Sequence, residues 1–508
     1  MLGRLFFIWV LLNFKRINKN LEFKDLNFKK IDFCNYKQIK IFIFKNEFYK
    51  LKNKYVQSFD FLNFSKNLGG RTGINISKKS IIDWYKLNKF KIFYPWSEDL
   101  TSKRLINILY NYEFINSSLT LNESKLINKI TQIHMLRVIN EIKNKSISKV
   151  NSYNLLAYFL SVFLLKKFNK RDIVFLNIIL NYQIDNLGMH KSYNVLEHSK
   201  YLNNLNELKN IFLYFRFEIP VKFESTIIKM TSILNEYFHK DGTIPLFNGA
   251  NNNYTFDIYN SLNKEEYLKS RTFNNINNGI AFYSDKNKKL FFDVVQPNKE
   301  SFSNNLNAGT LSIEFSCNSE KIITNCGSSE SFGKNPEYLR YSAAHSTIIL
   351  QNTNISEIKE NNPHIKFPQS VTFNSNKIDD CTFFEGSHNG YFKKFNKIIK
   401  RNLTIENNKN KLYGEDILIS KKEFNKKIIY HIRFHLNPGI SFNFTNSRRN
   451  IILKTQNKNI WLFKSDNELA VEDSILVDKN LTIPTKQIVI KGVINKNKIV
   501  RKWSLEKI

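Results

Sequence analysis

Apolar residues recur at helical spacing over the first half of the chain and at alternate positions over the second; the change falls near residue 275. Between Asn122 and Lys145, Leu126, Ile127, Ile130, Ile133, Met135, Leu136, Val138, Ile139 and Ile142 form an i, i+3, i+4 stripe. Leu155–Phe168 is apolar nearly all round, which predicts a helix buried between neighbours. Ile173–Ile184, Leu202–Phe215 and Ser225–Phe238 continue the series, as in a helical bundle, solenoid or toroid. Beyond 275 the period is two. Strands are predicted at Ile280 and Phe282, Leu290–Val295, Leu311–Phe315, Ile322–Thr324, Ser346–Leu350 and Leu403–Ile405. Asn407-Asn408-Lys409-Asn410 then turns the chain into Lys411–Ser420, a hairpin signal. Tyr430–Leu436, Ile451–Lys454, Trp461–Ser465 and Gln487–Lys491 follow at the spacing of an all-β sandwich. The pattern thus predicts a Lys/Asn-rich, weakly patterned segment over 1–75, a helical domain over 76–270 and a β domain over 271–508. A cleft between the last two is the default place for a ligand.

Composition narrows the partners. With 508 residues, 42% of them hydrophobic and 14% aromatic, the chain can bury a sizeable core, and its length suits two large domains or three ordinary ones. Lys and Arg number 77 against 44 Asp and Glu, a net charge of +33, so an anionic partner is expected. Nucleic acid, an acidic membrane face and an acidic polysaccharide all qualify. The excess is mostly Lys, whereas bidentate reading of bases and phosphates favours Arg, which argues against nucleic acid. Four cysteines in 508 residues exclude a disulfide scaffold, though not one or two bridges, and Cys34, Cys317, Cys326 and Cys381 form no CxxC pair, which argues against a Cys-built zinc site or a thioredoxin-like motif. The apolar run Leu5–Leu12 is too short to span a bilayer, lacks a small-residue cleavage site, and is followed by Lys15 and Arg16. No stretch reaches the length of a membrane-spanning helix, so no integral membrane segment is expected.

Three groups of residues could carry chemistry. His190 follows Gly188 at a helix-to-loop passage, a position suited to proton transfer near neutral pH. In Arg340-Tyr341-Ser342-Ala343-Ala344-His345-Ser346-Thr347 the two alanines allow close backbone packing before a strand, displaying Arg340 and His345 at its start. His431, Arg433 and His435 alternate with apolar residues, which puts all three on one face of a strand. Asn305-Leu306-Asn307-Ala308-Gly309, Asn325-Cys326-Gly327 and His388-Asn389-Gly390-Tyr391 read as turns beside strands. The phosphate-loop, dinucleotide, nucleophile-elbow and zincin signatures are absent.

In their shared order these clusters resemble the heparinase II/III-like polysaccharide lyases, over about 79–505 and especially a divergent branch found in alphaproteobacteria. Asp241 to Gly249 resembles that family's DGxxxxFN segment, which contributes Asn248. Gly309-Thr310-Leu311-Ser312-Ile313-Glu314-Phe315 resembles its AGxLSFE strand, and Asn325-Cys326-Gly327 its NCG turn. Arg340 to Thr347 is similar to RxTAAHNT, His388 to Tyr391 to HDGY, and Arg433 to Gly439 to RFHLHPG. The resemblance implies an incomplete α/α toroid followed by an antiparallel β-sandwich. It also implies β-elimination on a uronate-containing glycan, in the cell envelope or periplasm and without a cofactor; with no recognisable signal peptide, a cytoplasmic placement stays open. Elimination needs a group to neutralise the carboxylate, a base for the C5 proton and an acid for the leaving oxygen. His190, His345, Tyr254 and Tyr341 are the candidate catalytic residues, with His190 as the base. Arg340, Asn305, Asn307, Asn248, Arg433 and His435 are the candidate substrate-binding residues. The chain also departs from the family. Asn305 and Asn307 stand where many members have an HxH pair, and Asn325 where metal-binding members have Asp; of a His/Asp/His set only His345 remains, so no metal is expected. These losses motivate an alternative: a catalytically silent relative that binds an acidic surface polysaccharide.

Overall fold

The computed structural model describes residues 50, 52–91, 93–252, 255, 262, 279–297, 306–329, 337–359, 362–407, 409–420, 427–478 and 481–508. It divides into two compact units: one runs to Tyr182 and includes Lys200–Ile227, the other comprises Gln183–Ser199 and Ile228–Ile508. The main helices are α1 (Phe61–Leu68), α2 (Gly70–Asn88), α3 (Glu98–Tyr110), α4 (Leu121–Lys143), α5 (Ser152–Leu164), α6 (Lys170–Gln183), α7 (Val195–Tyr214) and α8 (Val221–Glu236). Helix α4 begins with a capping box, in which Thr120 and Glu123 each satisfy the other's backbone N–H. Asn151 and Asn154 do the same for α5. Helix α5 is buried nearly all round, as its composition predicts. Around it Phe163, Phe168 and Phe212 pack ring against ring, with Phe163 and Phe168 centroids 4.5 Å apart.

The segment expected to be weakly patterned holds α1 and the start of α2. The face α2 buries is made of Gly73, Ser77 and Ser80 as well as Ile81, Trp84 and Tyr85. Small polar residues carry the first half of that stripe, so an apolar count does not register it.

The second unit contains the sheets. Strands β1 (Ile280–Ser284), β2 (Lys288–Asp293), β3 (Ile313–Cys317), β4 (Glu320–Thr324) and β5 (Ile348–Leu350) precede a small hairpin of β6 (Glu357–Lys359) and β7 (Asn362–Lys366). There follow β8 (Val371–Ile378), β9 (Cys381–His388), β10 (Lys397–Glu406), β11 (Lys411–Ser420), β12 (Ile428–Leu436) and β13 (Ser441–Phe444). The last are β14 (Asn450–Lys454), β15 (Ile460–Ser465), β16 (Leu469–Asp478), β17 (Leu481–Ile494) and β18 (Lys498–Lys507). One sheet has the order β1-β2-β3-β4-β12-β17-β16, with β5 also paired to β12; the other runs β13-β14-β15-β18-β11-β10-β9-β8. The described strand pairs of both sheets are antiparallel. The predicted hairpin is β10–β11, with Ile405 opposite Leu412. Leu290, Phe292, Ile313, Phe315, Phe434 and Ile490 of the first sheet bury against Leu403, Ile405, Trp461, Phe463 and Trp503 of the second. That apolar layer is the core of a sandwich.

A buried ion pair lies within it. Arg401 on β10 faces Asp416 on β11 and donates to both carboxylate oxygens, at 2.6 and 3.0 Å, while Trp503 Nε1 donates to Asp416 Oδ2 at 3.0 Å. Neither side chain is exposed. The other guanidinium nitrogen reaches across to the carbonyls of Leu311 (2.9 Å) and Ser346 (2.8 Å), pinning the strand entries that flank His345. Arg401→Met strands a buried carboxylate and should lower stability by about 3 kcal/mol in urea titrations, whereas R401M/D416L should recover most of the loss. Equal destabilisation by the single and double variants would show that the charge pairing is not what Arg401 contributes.

Candidate active site

His190, Asn248, Asn307 and His345 all fall in the second unit, tied together by main-chain and amide hydrogen bonds. After α6, Asp185 accepts from the N–H groups of Leu187 and Met189 (both 2.9 Å) and closes the loop that carries His190. His190 Nδ1 lies 2.8 Å from Ser192 Oγ and accepts from the Ser192 N–H at 3.2 Å. Its own N–H donates to His198 Nδ1, whose Nε2 is 2.9 Å from the Met230 carbonyl. Asn194 then caps α7, accepting from the N–H groups of Leu196 and Glu197. The Asn194 amide donates to the Asn248 carbonyl at 3.0 Å. Asn248, in the left-handed region at φ 53°, donates to the Tyr193 carbonyl and accepts from the Asn307 N–H at 3.2 Å. An asparagine tolerates that backbone, which explains why the turn carries one.

His345 arrives from the other side of the sequence. Ser342–Ala344 forms a single 3₁₀ turn, and the Ser342 hydroxyl donates to the Ala308 carbonyl at 2.6 Å. The His345 ring packs on Gly309, where an added Cβ would sit 2.9 Å from its Cγ. Among the described residues, both ring nitrogens of His345 and both amide atoms of Asn307 are buried without a hydrogen-bond partner. Buried polar groups are ordinarily satisfied, so these four atoms set His345 and Asn307 apart from their hydrogen-bonded neighbours in the loop network. Burial pushes both His190 and His345 down to about 4; Glu314 opposes the shift at His345, and Lys191 adds to it at His190 while Glu197 opposes it. Both rings are therefore neutral at physiological pH. Gly309→Ala should push the buried His345 ring out of place and lower stability by about 1–3 kcal/mol in urea titrations, the usual cost of overpacking.

The remaining candidates are placed as follows. Arg340 is buried and donates to the Leu306 carbonyl at 3.1 Å, while its own carbonyl accepts from the Ala308 N–H, so it braces the turn that carries Asn307. Tyr341 donates to Glu337 at 3.2 Å; burial and that carboxylate raise its pKa, which keeps the phenol protonated. Arg433 is spent on Glu472 (2.8 Å) and Gln487 (3.1 Å). His435 is buried, within 2.6 Å of Ser474 Oγ and 3.1 Å of the Ala343 carbonyl. Within the predicted basic stripe, Arg433 and His435 have these internal partners, while Arg433 Nε and His431 Nδ1 have none among the described residues. Tyr254 and Asn305 lie outside the described residues.

Glu314, His239 and Lys321 are the residues that sequence reasoning missed. The Glu314 carboxylate is fully buried and receives five donors: His239 Nε2 (2.9 Å), Lys321 Nζ (3.1 Å), and the Leu246 N–H, Asn325 N–H and Asn325 amide at 3.0–3.1 Å. Burial alone raises its pKa, but Lys321 and the His239 hydrogen bond outweigh it and hold the group at about 2. The Asn325 amide oxygen accepts from the Ser346 N–H at 2.9 Å, next to His345. Gly327 completes this turn at φ 77°, where a Cβ would meet the Val477 carbonyl at 2.5 Å.

Residues 272–504 match the family model described as Heparinase II/III-like, C-terminal. The C-terminal domain belongs to the heparinase II/III-like family. A comparison with curated proteins gives no match. Among solved structures, a heparinase III aligns at TM-score 0.70 and 13% identity over 90% of this chain and 76% of that one. A second heparinase III aligns at 0.69 and 13% identity over 98% and 88%. A heparan sulfate lyase, HepC from Pedobacter heparinus, aligns at 0.64 and 13% identity over 90% and 77%. At that identity the likeness is one of fold: an α/α toroid followed by an antiparallel β-sandwich. The metal of some members does not fit these residues. Asn325 spends its amide on Glu314 and Ser346, Asn307 is neutral, and among the described residues no three His, Cys, Asp or Glu form a metal-holding group.

Proposed function

We propose that the chain is a polysaccharide lyase that cleaves an acidic, uronate-containing glycan of the cell envelope by β-elimination. The observation that carries this reading is the pair of buried, unsatisfied groups, His345 and Asn307, joined through Asn248 and Asn194 to the loop bearing His190. In the reaction a base removes the C5 proton, the electron pair forms the C4–C5 double bond, and the C4–O bond breaks as the leaving oxygen gains a proton. Main-chain donation to His190 Nδ1 puts the ring proton on Nε2, so Nδ1 is committed as an acceptor. The base role expected of His190 therefore passes, in this reading, to His345, whose ring has an uncommitted lone pair. A tyrosine, Tyr341 or Tyr254, supplies the acid. The lysine-rich surface, part of a net charge of +33, would draw in the polyanion.

The test is a screen of purified protein against uronate polymers, following the ultraviolet absorbance of the new double bond. No unsaturated product, combined with salt-sensitive retention on one polymer, would establish the silent glycan binder instead. Asn307 motivates that second reading, because an amide binds sugar hydroxyls but accepts no proton.

A further inference from the structure

We propose that Glu314 is the positioning residue of this site, a buried carboxylate that fixes at once the main chain leading to His345 and the main chain leading to Asn248. The inference rests on the lyase reading for its catalytic consequence, but its geometry stands without it. One carboxylate oxygen, Oε1, receives the Leu246 N–H and both Asn325 donors. Leu246 is two residues before Asn248, which holds the Asn307 N–H. Asn325 passes the constraint on, because its amide oxygen, oriented by the amide's donation to Glu314, takes the Ser346 N–H beside His345. The Cys326 N–H reinforces the same crossing by donating to the Ala344 carbonyl at 3.0 Å. Two loops far apart in sequence thus share one acceptor.

The other oxygen, Oε2, is held by Lys321 and His239. Lys321 also donates to the Ile244 carbonyl at 3.3 Å, so the counter-ion grips the loop that Oε1 grips at Leu246. His239 lies between Glu314 and Ser316 Oγ, 2.9 Å from each, and burial followed by Lys321 pushes it down to about 4. Kept neutral, it donates through Nε2 and accepts at Nδ1. Hence the carboxylate is oriented on every side, and both loops inherit that orientation.

The experiment compares wild type, Glu314→Leu and the double variant E314L/K321M, with elimination kinetics and backbone amide exchange as readouts. E314L leaves Lys321 buried without its carboxylate and is expected to be destabilised; removing both charges should recover part of the melting temperature. If Glu314 positions the site, the folded double variant still lacks the shared acceptor, because leucine offers no oxygen to the Leu246 and Asn325 donors. Its kcat should remain about 10- to 100-fold below wild type with KM within about threefold, since orientation acts on the chemical step. Exchange of the Ser346 and Leu246 amides should quicken at least about tenfold, while amides of the β10–β11 pair keep their protection. Full recovery of kcat in the double variant would reduce Glu314 to a charge partner and overturn the proposal. Unchanged exchange at Ser346 and Leu246 would overturn it equally, whether or not the protein proves to be an enzyme. Absence of elimination by the wild type refutes the lyase reading alone, and the exchange data then decide the positioning claim.

Discussion

Replacing His345 by alanine should lower elimination turnover by roughly 10²–10⁴-fold, the usual contribution of a general base, and leave the protein folded. The second half of that expectation follows from the site itself. A side chain whose two ring nitrogens are buried and unsatisfied contributes little net stability, because its packing is offset by the unmade hydrogen bonds. Truncation removes both together, so the melting temperature should move by only a few degrees. His190→Ala should behave differently. With its ring oriented as a donor, its loss should raise KM more than it lowers kcat, the signature of ground-state binding. If His190→Ala instead removes turnover and His345→Ala does not, the two assignments are reversed. If neither matters, the base is a tyrosine. The measurement is initial-rate absorbance on whichever uronate polymer gives product, with calorimetry on each variant.

The order of helices and strands was legible because burial follows period in most of the chain. Helices α4 to α8 and the β10–β11 hairpin stand close to where the apolar spacing puts them. The failures have physical causes. Helix α2 turns small polar residues inward. Helix α3 buries Arg104, whose guanidinium lies 4.2 Å from the face of Trp84 and donates to the Gln57 and Pro95 carbonyls, so a charged residue does core duty there. Strand β8 alternates half-buried and exposed residues through Asn and Lys, a weak signal. The site divides along the same line. Motif order named His190, Asn248, Asn307 and His345 as candidates. Glu314 stood within the AGxLSFE match without a role, because a motif does not tell which neighbours a carboxylate meets. Strand β3 is in fact buried on both faces. The discriminating signal was Lys321 on the adjoining strand, a cation one hairpin away from the acid. A basic stripe on a strand is likewise silent about Glu472, which pairs with Arg433 from β16.

Acidification should destabilise the second unit steeply between about pH 6.5 and 4. Six buried histidines there have depressed pKa values, burial being the leading cause in each: His190, His239 and His345 at about 4, and His198, His388 and His435 at about 3. In the folded protein they stay neutral through this window, whereas in the unfolded chain they protonate near 6.5. The unfolded state therefore binds more protons as pH falls, and stability falls with it, by up to about 1.4 kcal/mol per pH unit for each such group. Asp293 works in the opposite direction. Burial raises it to about 7, so it takes up a proton in the folded state first and offsets one histidine; Asp185, also raised by burial, acts in the same sense. Glu314 does not enter, because its stabilisation is present above the ordinary carboxylate range and is lost only as pH approaches about 2. With most of the histidines uncompensated, the melting temperature of this unit should drop by on the order of 10 °C between pH 6.5 and 5.5. His388→Phe provides the internal control. Its Nδ1 accepts one N–H, from Gly390, and its Nε2 has no partner among the described residues, so replacement removes one titrating group with limited loss of bonding. The slope of stability against pH should then decrease by about 1.4 kcal/mol per unit. A melting temperature that is level from pH 7 to 5 would mean that these imidazoles protonate in place, and that the interior around His345 admits charge more readily than its burial implies.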